Sequence, residues 1–259
     1  MIIALESYSA EAMAEVCADD AVTGVVLGDL FCNHRMFPYG GEEMTDYMRQ
    51  LKDNGKNVYY QTPLYLTDAI FGEVVRKLDF WDSQSLLDGV FLQDVGLLKV
   101  LGEREDFLPA LIWSYMGVPR SGALNLLYYR FLQSFAPVIV ATDRPDHSRM
   151  MREHGIRTIL MYGKISYSTI NRLCYYTYES GISKTECARQ CLRGDLHMVN
   201  ETFGFDMSVD GYLLGKKYIY GRPEEIAAEQ GKTGMPLIVY APDETACRNR
   251  RAEFIQQGD

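Results

Sequence analysis

Long apolar runs are absent from the 259-residue sequence, which contains no stretch of the roughly 18 uninterrupted apolar residues that a membrane-spanning helix requires. No basic residue occurs in the N-terminal stretch MIIALESYSAEAMAEV, which meets acidic residues early and is unlike a secretory signal peptide. We therefore expect a cytoplasmic protein without a membrane span. In that reducing compartment the six cysteines are not expected to form disulfides, so their spacing must indicate their use.

A basic surplus is also absent, because 35 acidic residues outnumber 26 basic ones and give a net charge of −9. Proteins that bind nucleic acids neutralise phosphates and usually carry a basic excess or a basic stripe. The densest basic run, Arg248, Arg250 and Arg251, stands beside Glu253 and is typical of a solvated helix face. The composition therefore disfavours nucleic acid as a partner.

Several catalytic motifs are missing as well. No strand runs into a G-x-G-x-x-G turn, and neither a G-x-S-x-G elbow nor an H-E-x-x-H zinc helix occurs. The four histidines form no recognisable pattern. These absences disfavour a dinucleotide-binding enzyme and a peptidase. A peptidase stays open as an alternative, because catalytic triads are recognised by geometry rather than by sequence position.

Short apolar strands alternate with amphipathic helices at a spacing of about 25 to 35 residues. The predicted strands are 1–5, 22–27, 57–61, 89–93, 111–115, 138–141, 157–162 and 236–240. The predicted helices are 10–17, 42–54, 67–78, 95–101 (a short helical turn), 121–135, 145–154, 224–230 and 244–256.

This alternation predicts an α/β fold in which parallel strands close into a TIM-barrel-like (β/α) barrel. Strands such as GVVLG and PVIVAT are continuously apolar, as expected for strands buried on both faces. An open doubly wound sheet is the alternative.

The alternation breaks over 163–221, which is rich in Tyr, Cys, Gly and charge and contains a turn signal at Asp210-Gly211. We predict a single barrel-like domain over 1–259, with 163–221 as a cysteine-containing insertion.

Three cysteines in the insertion, Cys174, Cys187 and Cys191, form a C-x12-C-x3-C arrangement. Thiolates are soft ligands that suit iron–sulfur clusters and zinc, and residues four apart share one face of a helical turn. Cys32 follows the strand 22–27 in a loop at the C-terminal face of the barrel, where such enzymes build their sites. The spacing predicts that these four cysteines hold a metal site, either an iron–sulfur cluster or zinc, because four thiolates suit both. Buried packing cysteines are the alternative, although the segment between the thiols is polar and unlike a core run.

The two remaining cysteines have a different setting. Cys17 and Cys247 fall within predicted helices, and Cys17 stands on the apolar face of the first one. We expect both to be packing residues, because free cysteine often behaves as a small buried hydrophobe.

At the predicted ligands the chain resembles the peptidase family U-32, and within it the UbiV-like branch. The resemblance is carried by GVVLGDLFCNHR around Cys32, by GKISYSTINRLC, which ends at Cys174, and by the C-x12-C-x3-C spacing that follows. The segment FLQDVGLLKVL, with Gln93, Asp94 and Gly96, is similar to the family's Q-D-x-G segment.

The resemblance implies a 4Fe–4S protein that acts in oxygen-independent hydroxylation of a small aromatic or quinone-type substrate. It also implies prephenate as the oxygen donor and a heterodimer with a second U-32-family subunit. The alternatives are a non-catalytic iron–sulfur partner subunit, a U-32-type peptidase and RNA-base hydroxylation.

Further candidate residues stand beside the cysteines or at strand ends. Arg35 and Arg172 are near Cys32 and Cys174, where a guanidinium can bind a dicarboxylate such as prephenate in a bidentate pair or form a surface ion pair. Asp94 is a candidate for orienting a ligand, although capping the helix 95–101 is the role that its position favours. The other candidates are His34 as a proton donor, Tyr59, Gln61, Ser114 and Asn125.

Overall fold

The computed structural model describes residues 1–5, 8–28, 41–63, 66, 68–113, 122–166, 197–208, 217–219, 221–241 and 244–255. The chain divides into two units, the first formed by Met1–Gly163 with Tyr220–Asp259 and the second by Lys164–Ile219.

Within the described residues, the strands are β1 (Ile2–Leu5), β2 (Gly24–Leu27), β3 (Asn57–Gln61), β4 (Gly89–Leu92), β5 (Ala110–Trp113), β6 (Ile139–Thr142), β7 (Thr158–Tyr162), β8 (Lys164–Ser166), β9 (His197–Asn200), β10 (Phe205–Ser208), β11 (Lys217–Ile219) and β12 (Leu237–Ala241). The helices are α1 (Ala10–Ala18), α2 (Gly41–Asp53), α3 (Asp68–Ser83), α4 (Val95–Gly102), α5 (Gly122–Gln133), α6 (Pro145–Glu153), α7 (Pro223–Thr233) and α8 (Glu244–Ile255).

Eight strands of the first unit form a closed barrel in the order β1-β12-β7-β6-β5-β4-β3-β2. Every neighbouring pair is parallel, and the pairing of Ile2 with both Gly24 and Ile238 joins the two ends of the sheet through β1. The fold is therefore a TIM-type (β/α)8 barrel, as the alternation predicted. The open doubly wound alternative is wrong, because that sheet would keep two free edges.

The predicted barrel strands and the helices are all present, and only their ends differ. Strand β3 has the predicted bounds, whereas the helix predicted over 67–78 continues to Ser83. The extra turn carries Trp81, which is fully buried and meets the ring of Tyr60 on β3 at a centroid distance of 5.1 Å. Burying an aromatic side chain of this size contributes about 2–3 kcal/mol, and this packing extends the helix beyond the end of the sequence pattern.

Helix starts follow from local chemistry. The Ser9 hydroxyl accepts a hydrogen bond from the Ala12 N–H at 3.1 Å and so caps α1. Pro145 and Pro223 stand at the first turns of α6 and α7, where a missing N–H costs nothing. No helix among the described residues is long and apolar enough to cross a membrane.

The second unit contains two antiparallel strand pairs. β8 pairs with β11, and β9 pairs with β10 across a turn at 201–204 in which Gly204 has φ +65°. The β9–β10 hairpin was not predicted from the sequence. The turn predicted at Asp210-Gly211 lies outside the described residues, and the interpretation of this segment as an insertion in one domain stays a prediction.

A buried carboxylate joins α6 to α7 inside the first unit. Glu229 on α7 is 3% exposed and forms ion pairs with Arg149, at 3.3 Å, and with Arg152, both on α6. These contacts hold α7 against α6. In the sequence, α6 comes before the second unit and α7 comes after it. A carboxylate buried to this degree is held by its cationic partners.

We expect Glu229→Gln to lower the free energy of unfolding by about 1–3 kcal/mol, since the amide removes a charge-assisted contact to two partly exposed arginines. The measurement is urea denaturation followed by circular dichroism. The control is Glu225→Gln on the same helix, whose ion pair with Arg222 is exposed and should change stability by less than about 0.5 kcal/mol. Equal losses for the two variants would contradict a stabilising role of Glu229.

Candidate functional site

Side chains of the barrel strands alternate between the surrounding helices and the barrel interior. Tyr60 and Trp113 point outward, because their rings contact Trp81 on α3 and Tyr128 on α5. Tyr59 points inward and meets the ring of Phe91 edge-on at 6.1 Å. Since paired residues of neighbouring strands share a face of the sheet, the register assigns every second residue of each strand to the interior.

Two glycines make room for Tyr59 inside the barrel. A Cβ on Gly24 or on Gly89 would lie 2.9 Å from a ring carbon of Tyr59, so both positions need the absence of a side chain. These glycines are the first residues of β2 and β4, and the Tyr59 ring therefore lies toward the N-terminal ends of those strands. Burial, with a smaller contribution from Asp88, raises the pKa of the phenol. The catalytic role of Tyr59 stays a prediction.

Polar side chains continue the inward alternation at the C-terminal rim of the barrel. Gln61 ends β3 and is buried, and its Nε2 donates to the Thr62 carbonyl at 3.2 Å. Gln93 follows β4 directly, and Asp143 follows β6. Tyr240 on β12 is also buried, which raises its pKa and keeps the phenol neutral. Amide, carboxylate and phenol side chains thus follow the inward register toward the end of the barrel where barrel enzymes build their sites.

Asp94 caps a helix at this rim. Its Oδ1 accepts a hydrogen bond from the Leu97 N–H at 2.8 Å, and the residue occupies the N-cap position of α4. The capping role that the sequence favoured is therefore confirmed. This contact occupies one carboxylate oxygen, and a second role in orienting a ligand stays a prediction.

Sequence analysis missed His147, a residue of the first turn of α6. The side chain is only 7% exposed, and no residue in the described part of the chain hydrogen-bonds its ring. Burial and the nearby Arg144 lower its pKa, while Asp146 and Asp143 act in the opposite direction. The imidazole is therefore neutral at pH 7. Its position in the sequence could have indicated it. His147 comes shortly after a strand, Asp143 and the helix-starting Pro145, at the face where barrel enzymes bind ligands.

The four predicted ligands, Cys32, Cys174, Cys187 and Cys191, lie outside the described residues. So do His34, Arg35, Ser114 and Arg172, whereas Asn125 lies on α5. In the part of the chain that the structure describes, no group of three or more His, Cys, Asp or Glu residues could hold a metal ion. The cluster stays a prediction.

The two cysteines that were expected to pack do so. Cys247 is 3% exposed within the core, where burial raises the pKa of its thiol to about 11. Cys17 is half-buried against the core, and its Sγ lies 4.0 Å from the Gln50 carbonyl oxygen. Both thiols have raised pKa values and are protonated at neutral pH.

Gly28 starts the segment that leads from β2 to Cys32. Its φ is +129°, and a Cβ at this position would lie 2.5 Å from the carbonyl oxygen of Gln61. Only glycine fits both the backbone conformation and the space. The second glycine of the segment GVVLGDLFCNHR is therefore required physically, because it lets the backbone leave the barrel wall in contact with the end of β3.

No protein-family model matches the sequence, and no curated protein matches it. Among solved structures, the U32 peptidase Mk0906 is similar, with 15% identity, a TM-score of 0.55 and coverage of 94% of this chain and 93% of that one. A class V chitinase from Pseudomonas fluorescens Pf-5 is 12% identical, with a TM-score of 0.50 and coverage of 100% and 99%. At these identities the likeness shows the fold alone, a (β/α)8 barrel that the chain shares with the U32 peptidase.

We expect Gly28→Ala to lower the free energy of unfolding by about 2–4 kcal/mol, through left-handed backbone strain and a clash with the Gln61 carbonyl. The measurement is chemical denaturation. The control is Gly155→Ala, since Gly155 has φ +75° but no atom within 4 Å of its Cβ position, and only the strain of about 1 kcal/mol applies. Similar losses of unfolding free energy for the two variants would show that the contact with the Gln61 carbonyl does not contribute to stability.

The depressed pKa of His147 predicts a pH effect on stability. The unfolded chain takes up a proton as the pH falls below the ordinary value of 6.5, whereas the folded protein does so only at lower pH. The free energy of unfolding therefore decreases with falling pH until the folded-state pKa is reached. His147→Gln should show a smaller decrease than the wild type between about pH 7 and pH 5. Parallel stability curves for the two proteins would contradict this assignment.

Proposed function

We propose that the chain is a 4Fe–4S protein of the UbiV-like type that acts in oxygen-independent hydroxylation of a small aromatic or quinone-type substrate. The observation that carries the proposal is the C-x12-C-x3-C spacing, preceded by Cys32 four residues after Gly28. The barrel likeness to a U32 peptidase is consistent with the family pattern in which those cysteines stand. Four thiolates are a suitable donor set for a cubane cluster.

In the sequence, Cys32 follows the end of β2 by five residues and Cys174 follows the end of β7 by twelve. The parallel strands of the barrel end at one rim, which is where barrel enzymes build their sites.

When bound, such a cluster supplies one-electron chemistry. The chain's own residues would bind and orient the substrate. Arg35 and Arg172 are suited to a dicarboxylate such as prephenate, and Gln61 and Gln93 offer amide hydrogen bonds at the rim. Pairing with a second U-32-family subunit is part of the proposal, since the resemblance implies a heterodimer.

A U32-type peptidase is the second candidate function. The observation that favours it is the shared barrel, which spans almost the full length of both chains. A fold hosts many chemistries, however, and the residue pattern around Cys174 carries the iron–sulfur proposal independently of the fold.

Protein purified without oxygen should contain four iron and four sulfide per chain, absorb broadly in the visible range and give a cluster signal in electron paramagnetic resonance after reduction. Replacement of Cys32, Cys174, Cys187 or Cys191 by Ala should greatly reduce the iron content, because each removes a thiolate ligand. The matched controls are Cys17→Ala and Cys247→Ala, whose thiols pack in the first unit and should leave the iron content unchanged.

A colourless protein with stoichiometric zinc would contradict the cluster and favour the zinc alternative. Hydrolysis of peptides that survives iron chelation and loss of the cluster would favour the peptidase. A cluster-containing protein that supports hydroxylation only together with a second family member would identify it as a subunit, whether catalytic or not. RNA hydroxylation would appear as oxygen-independent modification of an RNA substrate.

A further inference from the structure

Helix α5 is apolar on two opposite sides. Its sequence, GALNLLYYRFLQ, contains a single charged residue, Arg130. Tyr129 and Leu132 are buried against the barrel. Leu127 and Phe131 lie about one turn apart on the opposite side, because an α-helix has about 3.6 residues per turn, and they are 66% and 49% exposed. A surface helix ordinarily presents polar residues on this side, so α5 has the composition of a helix that is covered on both sides.

Aromatic contacts hold this outer surface in a fixed arrangement. The Phe131 ring meets the Phe135 ring edge-on at a centroid distance of 5.0 Å and lies 6.4 Å from the Tyr128 ring. Tyr128 in turn contacts Trp113 on β5 at 5.9 Å. We call the surface formed by Leu127, Tyr128 and Phe131 the α5 outer face. Rings that are already packed lose little side-chain freedom when a partner binds, so this face is preorganised for contact.

The neighbouring helix α4 does not cover the α5 outer face. A Cβ on Gly102, the last residue of α4, would lie 2.8 Å from the Phe135 carbonyl oxygen and 2.5 Å from the Ala136 Cβ. Helix α4 therefore packs beside the C-terminal end of α5, whereas Leu127 and Phe131 stay exposed. Contacts among the described residues thus do not account for the apolar character of this face.

The charge distribution indicates which occupant suits the face. The chain carries a net charge of −9, so two copies repel each other over most of their surfaces. Helix α5 contains no acidic residue, and its one charge, on Arg130, is positive. Helix α2, by contrast, carries four acidic and two basic residues. Two copies can therefore approach each other through α5 with less repulsion than through a helix such as α2.

We propose that the α5 outer face is the contact surface of a homodimer in which α5 packs antiparallel against α5 of a second copy. A two-fold axis near Tyr129 places Leu127 of each copy against Phe131 of the other, so each contact combines a smaller side chain with a larger ring. Such an isologous contact closes at two copies and forms no filament. The face offers on the order of a few hundred Å² per copy, less than the about 800 Å² of a standard interface, so the dimer is weak and depends on concentration.

Sedimentation velocity of the full-length protein from low to high micromolar concentration tests the proposal. The wild-type protein should change from monomer to dimer over this range. Leu127→Glu and Phe131→Lys should each weaken dimerisation by at least about tenfold, because each places an unpaired charge in the contact. The matched control is Phe80→Glu on α3, where the ring is 43% exposed, and this variant should dimerise like the wild type.

An equimolar mixture of the Leu127→Glu and Phe131→Lys variants should restore dimerisation. In the mixed dimer the two introduced charges have opposite signs and face each other, while the second contact keeps the native Leu127 and Phe131. Thermal melts verify that both variants fold. The proposal is overturned if the wild-type protein stays monomeric throughout, even where it binds a second U-32-family protein. It is also overturned if Leu127→Glu dimerises as strongly as the wild type, or if the mixture associates no better than the separate variants.

Discussion

The pairing of β1 with β12 is the constraint on which the rest of the molecule depends. It joins a strand at Ile2–Leu5 to one at Leu237–Ala241 and closes eight parallel strands into a ring. Closure removes both sheet edges and fixes which residues face inward. Because all barrel strands are parallel, closure also places their C-terminal ends at one rim. Residues distant in sequence, such as Gln61, Asp143 and Tyr240, thereby become neighbours of one opening.

The two ends of the barrel differ in how their polar groups are used. At the N-terminal end, Asp88 accepts hydrogen bonds from Lys52 at 2.9 Å and from the Val58 N–H at 2.7 Å. Asp19 is likewise held by Arg251 on α8. Such groups tie helices to strands and stabilise the fold. At the C-terminal rim, Asp94 caps α4, whereas His147 is buried without a hydrogen bond from any described residue.

Local sequence chemistry was sufficient for most of the fold. The alternation of strands and helices predicted β3 with its observed bounds, and Asp94 marked the start of α4. Tertiary contacts decided what local patterns could not. Trp81 extended α3 because it packs on Tyr60, a contact between residues 21 positions apart, and the β9–β10 hairpin turns at Gly204 without a strong turn pair. These features depend on contacts between residues that are distant in the sequence, and a hydrophobic periodicity of 2 or 3.6 residues does not reveal such contacts.

The candidate site was less predictable than the fold, for two separate reasons. Cysteine spacing is informative because a cluster demands several thiolates, whereas a single buried histidine such as His147 leaves no spacing to detect. His147 is recognisable only once α6 is folded, since burial against the barrel is what lowers its pKa. Its lowered pKa arises from the same packing that holds α6 on β6 and β7. The stability of this part of the barrel and its dependence on pH are therefore consequences of one contact surface.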